Sequence, residues 1–120
     1  MQGTVLIVED NFLIADDFRS MLEDNGWLVT GLAATAEQAL GWLVTHHPSV
    51  ALLDLQLRVG LTTPVAMELR RRTIPFVLSS GCVHPVEIGG PVFEGVVNVG
   101  KPVSAPVLHA ALLEAVAVTG

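Results

Sequence analysis

Four short apolar runs in this chain each end in polar residues: Thr4 to Val8 into Glu9-Asp10, Val50 to Leu53 into Asp54, Phe76 to Leu78 into Ser79-Ser80, and Val96 to Val99 into Gly100-Lys101. Runs of this length are strand-sized, and near-continuous apolarity marks strands buried on both faces. Between them lie segments whose apolar residues recur at helical spacing. The resulting βαβα rhythm predicts an α/β fold with a parallel sheet covered by helices on both faces.

Five repeats of the unit fit the chain. Asn11 is placed to cap a first helix carrying Ile14, Phe18, Met21 and Leu22, and Gly26 stops it. A second strand over about Leu28 to Leu32 leads to Thr35-Ala36-Glu37-Gln38, which has the form of a capping box. Ala36, Ala39, Leu40 and Leu43 then make one core-facing stripe, with Trp42 off to its side, and Pro48 closes the unit. After the Val50 run, a loop leads to Thr63-Pro64, read as a cap followed by proline in the first turn of a short helix ending near Arg72. Pro85, Gly89, Gly90 and Pro91 make a full helix improbable after Ser80, so the fourth helix is predicted to be short or irregular. Ser104 caps a last helix with Leu108, Ala111, Leu112, Ala115 and Val116 towards the sheet.

With 120 residues and 51% hydrophobic content, the expectation is one domain over 1–120. The longest apolar stretches fall far short of the roughly 20 residues of a membrane span. The N-terminus lacks a signal-peptide pattern, so a cytoplasmic protein is expected. A single cysteine, Cys82, excludes an internal disulfide framework. Twelve acidic against six basic side chains give a formal charge of -6, which disfavours nucleic acid and anionic lipid as partners. A protein or a cation is favoured.

The polar strand ends belong together, because open parallel sheets bind ligands beyond the carboxyl ends of their strands. Glu9, Asp10 and Asp54 would then be crowded. At about 5 Å and an effective dielectric of about 20, each pair of carboxylates repels by roughly 3 kcal/mol. A divalent cation or Lys101 must relieve this, and oxygen-only ligands suit Mg2+. With the cation in place, Asp54 is poised as a nucleophile towards phosphorus, while Ser80 and Lys101 can stabilise equatorial phosphoryl oxygens. Ser79 competes with Ser80 for the hydroxyl role.

These motifs resemble the receiver domain of two-component response regulators, over the whole chain. Val5-Leu6-Ile7-Val8-Glu9-Asp10-Asn11 is similar to the family's acidic-pair motif, and Leu52-Leu53-Asp54 to its phosphoacceptor strand. Ile74 to Gly81 is similar to its hydroxyl strand, and Lys101-Pro102 to its lysine with a cis-type proline. The resemblance implies a doubly wound, five-stranded, flavodoxin-like sheet in the order 2-1-3-4-5. It also implies that Asp54 takes phosphate from a histidine kinase or histidine phosphotransfer protein. Glu9, Asp10, Asp54 and the Gln56 backbone carbonyl would hold Mg2+, and Ser80 and Lys101 would read the phosphate. By the same resemblance, the first-helix face of Leu13, Asp16, Asp17 and Ser20 docks the phosphodonor, and Cys82 influences hydrolysis. The segment Ala33 to Leu40 is most similar to small stand-alone receivers linked to one alphaproteobacterial kinase group.

The chain departs from the family pattern at Asn98, where many receivers carry an aromatic switch, and at Val103, where phenylalanine is frequent. The expected function is a phosphoacceptor that switches binding to a downstream protein and catalyses only its own phosphorylation and dephosphorylation. Two alternatives stand beside it: a phosphate-independent interaction module, and a small phosphohydrolase using an aspartyl phosphate. Intact Asp54, Ser80 and Lys101 weigh against the first. Gln56 weighs against the second, because it cannot serve as a general acid. His46-His47 and Cys82 with His84 lack the spacing of a metal site, and Arg70-Arg71-Arg72 reads as a solvated helix end.

Overall fold

The computed structural model describes residues 2–119. Its elements in order are β1 (Gly3–Val8), α1 (Phe12–Glu23), β2 (Trp27–Ala33), α2 (Ala36–Leu43), β3 (Val50–Leu53), β4 (Gln56–Leu57), β5 (Gly60–Leu61), α3 (Thr63–Arg71), β6 (Phe76–Leu78), α4 (Pro85–Gly89), a 3-10 turn (Pro91–Phe93) and α5 (Ala105–Thr119). β2, β1, β3 and β6 form a parallel sheet in that order. Alternation along the strands splits the core in two. Leu6, Val8, Ala51, Leu53, Phe76 and Leu78 pack on the side of α2 and α3, whereas Val5, Ile7, Val50, Leu52 and Val77 pack with Phe18 and Leu22 of α1 and Leu108 and Leu112 of α5.

The expected fifth strand is reduced to one parallel bridge between Leu78 and Asn98. Its ladder consists of Leu78 N–H to the Val97 carbonyl (2.9 Å) and Val99 N–H to the Leu78 carbonyl (2.8 Å). Gly95 and Gly100, at φ of 75° and 80°, bend the backbone on either side, and between them Val96 N–H is taken by the Phe93 carbonyl (3.2 Å) and not by β6. The position in the sheet is nevertheless the expected one, next to the fourth long strand, so the order matches as far as strands form.

The expected loop after Asp54 contains a small antiparallel hairpin, β4 with β5, turning at Arg58-Val59, with Gly60 (φ 104°) opening β5. The start of α3 also differs. Thr62, not Thr63, holds the N-cap position, without a side-chain cap bond, because Thr62 Oγ1 is spent on the Asp54 carbonyl (2.7 Å) and Thr63 Oγ1 on the Gly89 carbonyl (2.8 Å). Two other caps form as expected, Asn11 Oδ1 accepting from Ile14 N–H and Thr35 Oγ1 from Gln38 N–H. Gln38 reaches back to Ala34 N–H, closing the capping box one residue early.

The fourth helix is a single five-residue turn run, as its prolines and glycines demand. Trp42 lies over Gly31 of the edge strand β2, where an added Cβ would meet its ring at 2.8 Å, and stacks on His46 at 4.3 Å. At the end of α3, Arg70 and Arg71 are exposed as expected and Arg72 is the C-cap residue, and all three have partners. Arg70 donates to the Val92 carbonyl and covers the Phe76 ring, Arg71 and Arg72 both pair with Glu68, and Arg72 also holds the Leu43 carbonyl. No helix among the described residues is long and apolar enough to cross a membrane.

Candidate functional site

β1 lies between β2 and β3, so the chain reverses its direction of winding at the carboxyl ends of β1 and β3. Glu9 and Asp54 are set there by the ladder itself. Glu9 N–H donates to the Ala33 carbonyl (2.9 Å) and Asp54 N–H to the Val8 carbonyl (2.9 Å), each continuing its strand by one residue. The Thr62 hydroxyl then fixes the Asp54 carbonyl from the far side of the hairpin. Carboxylate oxygens of Glu9, Asp10 and Asp54 all lie within 4.8 Å of one another.

Lys101 enters this group from the last loop. Its Nζ donates to Glu9 Oε1 at 2.6 Å and to Asp54 Oδ2 at 2.8 Å. The Glu9 side chain is 1% exposed, that of Asp54 12% and that of Lys101 24%, so these charges are only weakly screened. Partial burial works against the ammonium, but its hydrogen bonds to Asp54 and Glu9 and their Coulombic attraction outweigh it and hold the Lys101 pKa above its ordinary value. Two further carboxylate oxygens have backbone partners: Asn11 N–H donates to Glu9 Oε2 (3.0 Å) and Arg58 N–H to Asp10 Oδ2 (2.6 Å). Three carboxylates against one ammonium leave a formal charge of -2. An all-oxygen donor set with that charge fits a hard divalent cation such as Mg2+. Among the described residues, this is the one such group of acidic, histidine or cysteine side chains; Cys82, His84, His46 and His47 build none.

The two serines are separated by their partners. Ser79 is fully buried and its hydroxyl donates to the Gly100 carbonyl at 2.8 Å. Ser80 Oγ accepts from Cys82 N–H at 3.1 Å, which leaves its own hydrogen to give to another oxygen. Ser80 and Lys101 line one cleft of about 600 Å³ together with Cys82, Val86, Phe93 and Asn98. Gln56 begins β4, two residues beyond Asp54, with an exposed side chain.

Sequence reasoning missed three contributions. Thr62 lies in the loop before Thr63-Pro64 with no signal of its own, Arg58 acts through a backbone N–H that no side-chain pattern announces, and Asn98 stands out in sequence only as the absence of an aromatic. Phe12, 74% exposed, extends the apolar part of the expected docking face of Leu13, Asp16, Asp17 and Ser20, in which Leu13 is 73% exposed.

The comparisons with known proteins agree with this geometry. A family model described as the response regulator receiver domain matches residues 5–112. None of the curated proteins matches the chain. Among solved structures, the signal receiver domain of a modulated diguanylate cyclase from Desulfovibrio desulfuricans G20 is similar at a TM-score of 0.87 and 27% identity, covering 98% of this chain and 95% of that one. The response regulator PhyR from Brucella abortus is similar at a TM-score of 0.82 and 29% identity, covering 97% of this chain and 48% of that one, so this chain spans about half of its length. The PhyR receiver domain of Erythrobacter litoralis has the same fold, at a TM-score of 0.82 and 22% identity over 94% of this chain and 88% of its own. With its acidic group, lysine and serine placed at the ends of a doubly wound sheet, the chain belongs to the response regulator receiver domain family.

Proposed function

We propose that Asp54 accepts a phosphoryl group from the phosphohistidine of a histidine kinase or histidine phosphotransfer protein, and that the phosphorylated domain changes its affinity for a downstream protein. The observation that carries this reading is Lys101 Nζ bridging Asp54 and Glu9 beside Asp10, at the point where the sheet reverses. A carboxylate oxygen of Asp54 attacks phosphorus, the O–P bond forms as the P–N bond breaks, and the electron pair leaves on the imidazole nitrogen. The product is an acyl phosphate. Water later cleaves it and regenerates the Asp54 carboxylate.

Glu9, Asp10, Asp54 and the Gln56 backbone carbonyl would hold Mg2+, which supplies positive charge against the phosphoryl oxygens. Lys101 neutralises Asp54 in the resting site and is in reach to follow the charge onto a phosphoryl oxygen, a point-charge role suited to its ammonium. The Ser80 hydroxyl donates its hydrogen to a second phosphoryl oxygen. Such a loose transfer needs placement and charge more than covalent help. In this reading the domain catalyses only its own modification and works in the cytoplasm.

The test is intact mass after incubation with Mg2+ and a small phosphodonor. The wild type is expected to gain one phosphoryl group, and both Asp54→Asn and chelator-treated wild type none. An unmodified wild type contradicts the proposal and favours a phosphate-independent module. Catalytic turnover of external phosphoesters favours the phosphohydrolase.

A further inference from the structure

β6 stops at Leu78, yet the hydrogen-bonding pattern of the sheet edge does not stop there. The side-chain amide of Asn98 takes over. Its Oδ1 accepts from Ser80 N–H at 3.0 Å and its Nδ2 donates to the Ser80 carbonyl at 3.1 Å, so one primary amide pairs with both backbone groups of Ser80 as a neighbouring peptide would. The same two atoms reach further. Nδ2 also donates to the Cys82 carbonyl at 3.1 Å, and Oδ1 also accepts from Gly100 N–H at 3.0 Å.

Three of these bonds join Asn98 to the distant Ser80–Cys82 segment, and the fourth holds Gly100, two residues on, within the loop of Asn98 itself. Ser80 carries the hydroxyl that is free to donate, and Gly100 immediately precedes Lys101. Neither loop has a ladder of its own at this point, since the fifth strand amounts to a single bridge. The Ser79 hydroxyl on the Gly100 carbonyl is the other side-chain tie between them. An aromatic ring at position 98 could offer none of these four bonds.

We propose that Asn98 is a positioning residue for phosphoryl transfer: it sets the placement of the Ser80 hydroxyl relative to Lys101 and makes the two loops move as one unit. This rests on the reading that Asp54 is the phosphoacceptor. Asn98 contacts neither the carboxylates nor the Lys101 ammonium, so its loss disturbs the phosphoryl-reading groups without touching the cation ligands. Asn98→Ala removes all four bonds. Asn98→Asp keeps the two acceptor bonds and sets a carboxylate against the Ser80 and Cys82 carbonyls.

The experiment measures Mg2+-dependent phosphorylation by a small phosphodonor on the full chain, together with amide hydrogen exchange. With Asn98→Ala the maximal rate is expected to fall by about tenfold or more, as misplacement of reacting groups does, while half-saturation by Mg2+ stays at the wild-type value. Exchange is expected to speed up at the Ser80 and Gly100 amides and to stay unchanged in β1 and β3. With Asn98→Asp, which also serves if the alanine variant does not fold, the rate falls while the Ser80 and Gly100 amides stay protected. A variant as fast as wild type overturns the inference and leaves the phosphoacceptor reading intact. Faster exchange and weaker Mg2+ binding throughout the domain also overturn it, since they mark a purely structural role. No phosphate on the wild type overturns the phosphoacceptor reading itself, and this inference with it.

Discussion

The sheet as far as β6 and the segment from residue 79 to 101 hold their parts of the site by different means. Glu9 and Asp54 extend buried parallel ladders and inherit the rigidity of strands whose residues are almost wholly excluded from solvent. Ser80 and Lys101 sit on loops tied down by side chains: the Asn98 amide, the Ser79 hydroxyl, Arg70 on the Val92 carbonyl and Thr63 on the Gly89 carbonyl. A ladder fixes the proposed phosphoacceptor, whereas a handful of replaceable hydrogen bonds fixes the two groups proposed to respond to phosphate. Local stability follows the density of such contacts, so the second region is where a signal can move atoms cheaply.

The contrast can be broken most sharply by truncation. Leu6→Ala, in the middle of β1 and fully buried, is expected to destabilise by about 2–5 kcal/mol through lost contacts and a residual cavity. Val83→Ala, 82% exposed after Ser80, is expected to change stability by less than about 0.5 kcal/mol. Urea unfolding at 25 °C measures both, and equal effects would erase the distinction. Two glycines repeat the comparison at smaller scale. A Cβ at Gly31 meets Trp42 at 2.8 Å and Leu6 at 3.0 Å, and overpacking of that kind costs about 1–3 kcal/mol. A Cβ at Gly81 meets nothing within 4 Å, so Gly81→Ala should leave the urea midpoint unchanged.

The carboxylate half also makes a prediction about metal. Mg2+ at ten times its half-saturating concentration is expected to stabilise the wild type by about 1.4 kcal/mol, through binding to the folded state alone. Asp10→Asn should lose most of that gain in thermal unfolding. A wild type indifferent to Mg2+ would contradict the cation site.

The smallest effect concerns α3. Hydrogen bonds from Arg71 and then Arg72 lower the Glu68 pKa from 4.5 to about 2, against the opposing effect of burial. A carboxyl whose folded pKa is depressed adds stability that is present above its unfolded value and is lost as pH falls through the folded one. Wild type should therefore lose stability relative to Glu68→Gln between about pH 4.5 and about pH 2 and not above that window. Acid unfolding curves that stay parallel through it would show that the pairing adds nothing.

The same contrast explains what the sequence disclosed. Strands buried on both faces read as apolar runs, so β1, β3 and β6 and the polar residues at their ends were legible, as was the shortness of α4 from Pro85, Gly89, Gly90 and Pro91. Glu9, Asp10, Asp54 and Lys101 could be grouped from their positions at strand ends, with the Ser79-Ser80 pair as the hydroxyl source. What stayed hidden depends on which tertiary partner a polar group finds. The hydroxyl of Thr62 turns from capping α3 to the Asp54 carbonyl, and the amide of Asn98 takes over where the last strand is reduced to a single bridge. Likewise, Arg70 and Arg72 resemble surface charges until the carbonyls they hold are seen. Ser79 and Ser80 are equivalent in sequence and differ only through Gly100 and Cys82.

The central claim is that the carboxylate fixed by the β3 ladder, and no other group, carries the phosphoryl. An acyl phosphate is reduced by borohydride to a primary alcohol with release of phosphate, which marks the modified residue covalently. Wild-type protein phosphorylated by a small donor with Mg2+, reduced, digested and sequenced by mass spectrometry should show homoserine in place of Asp54 and at no other acidic position. Phosphate recovered on a histidine or a serine, or reduction products at Glu9 or Asp10 instead, would contradict the account.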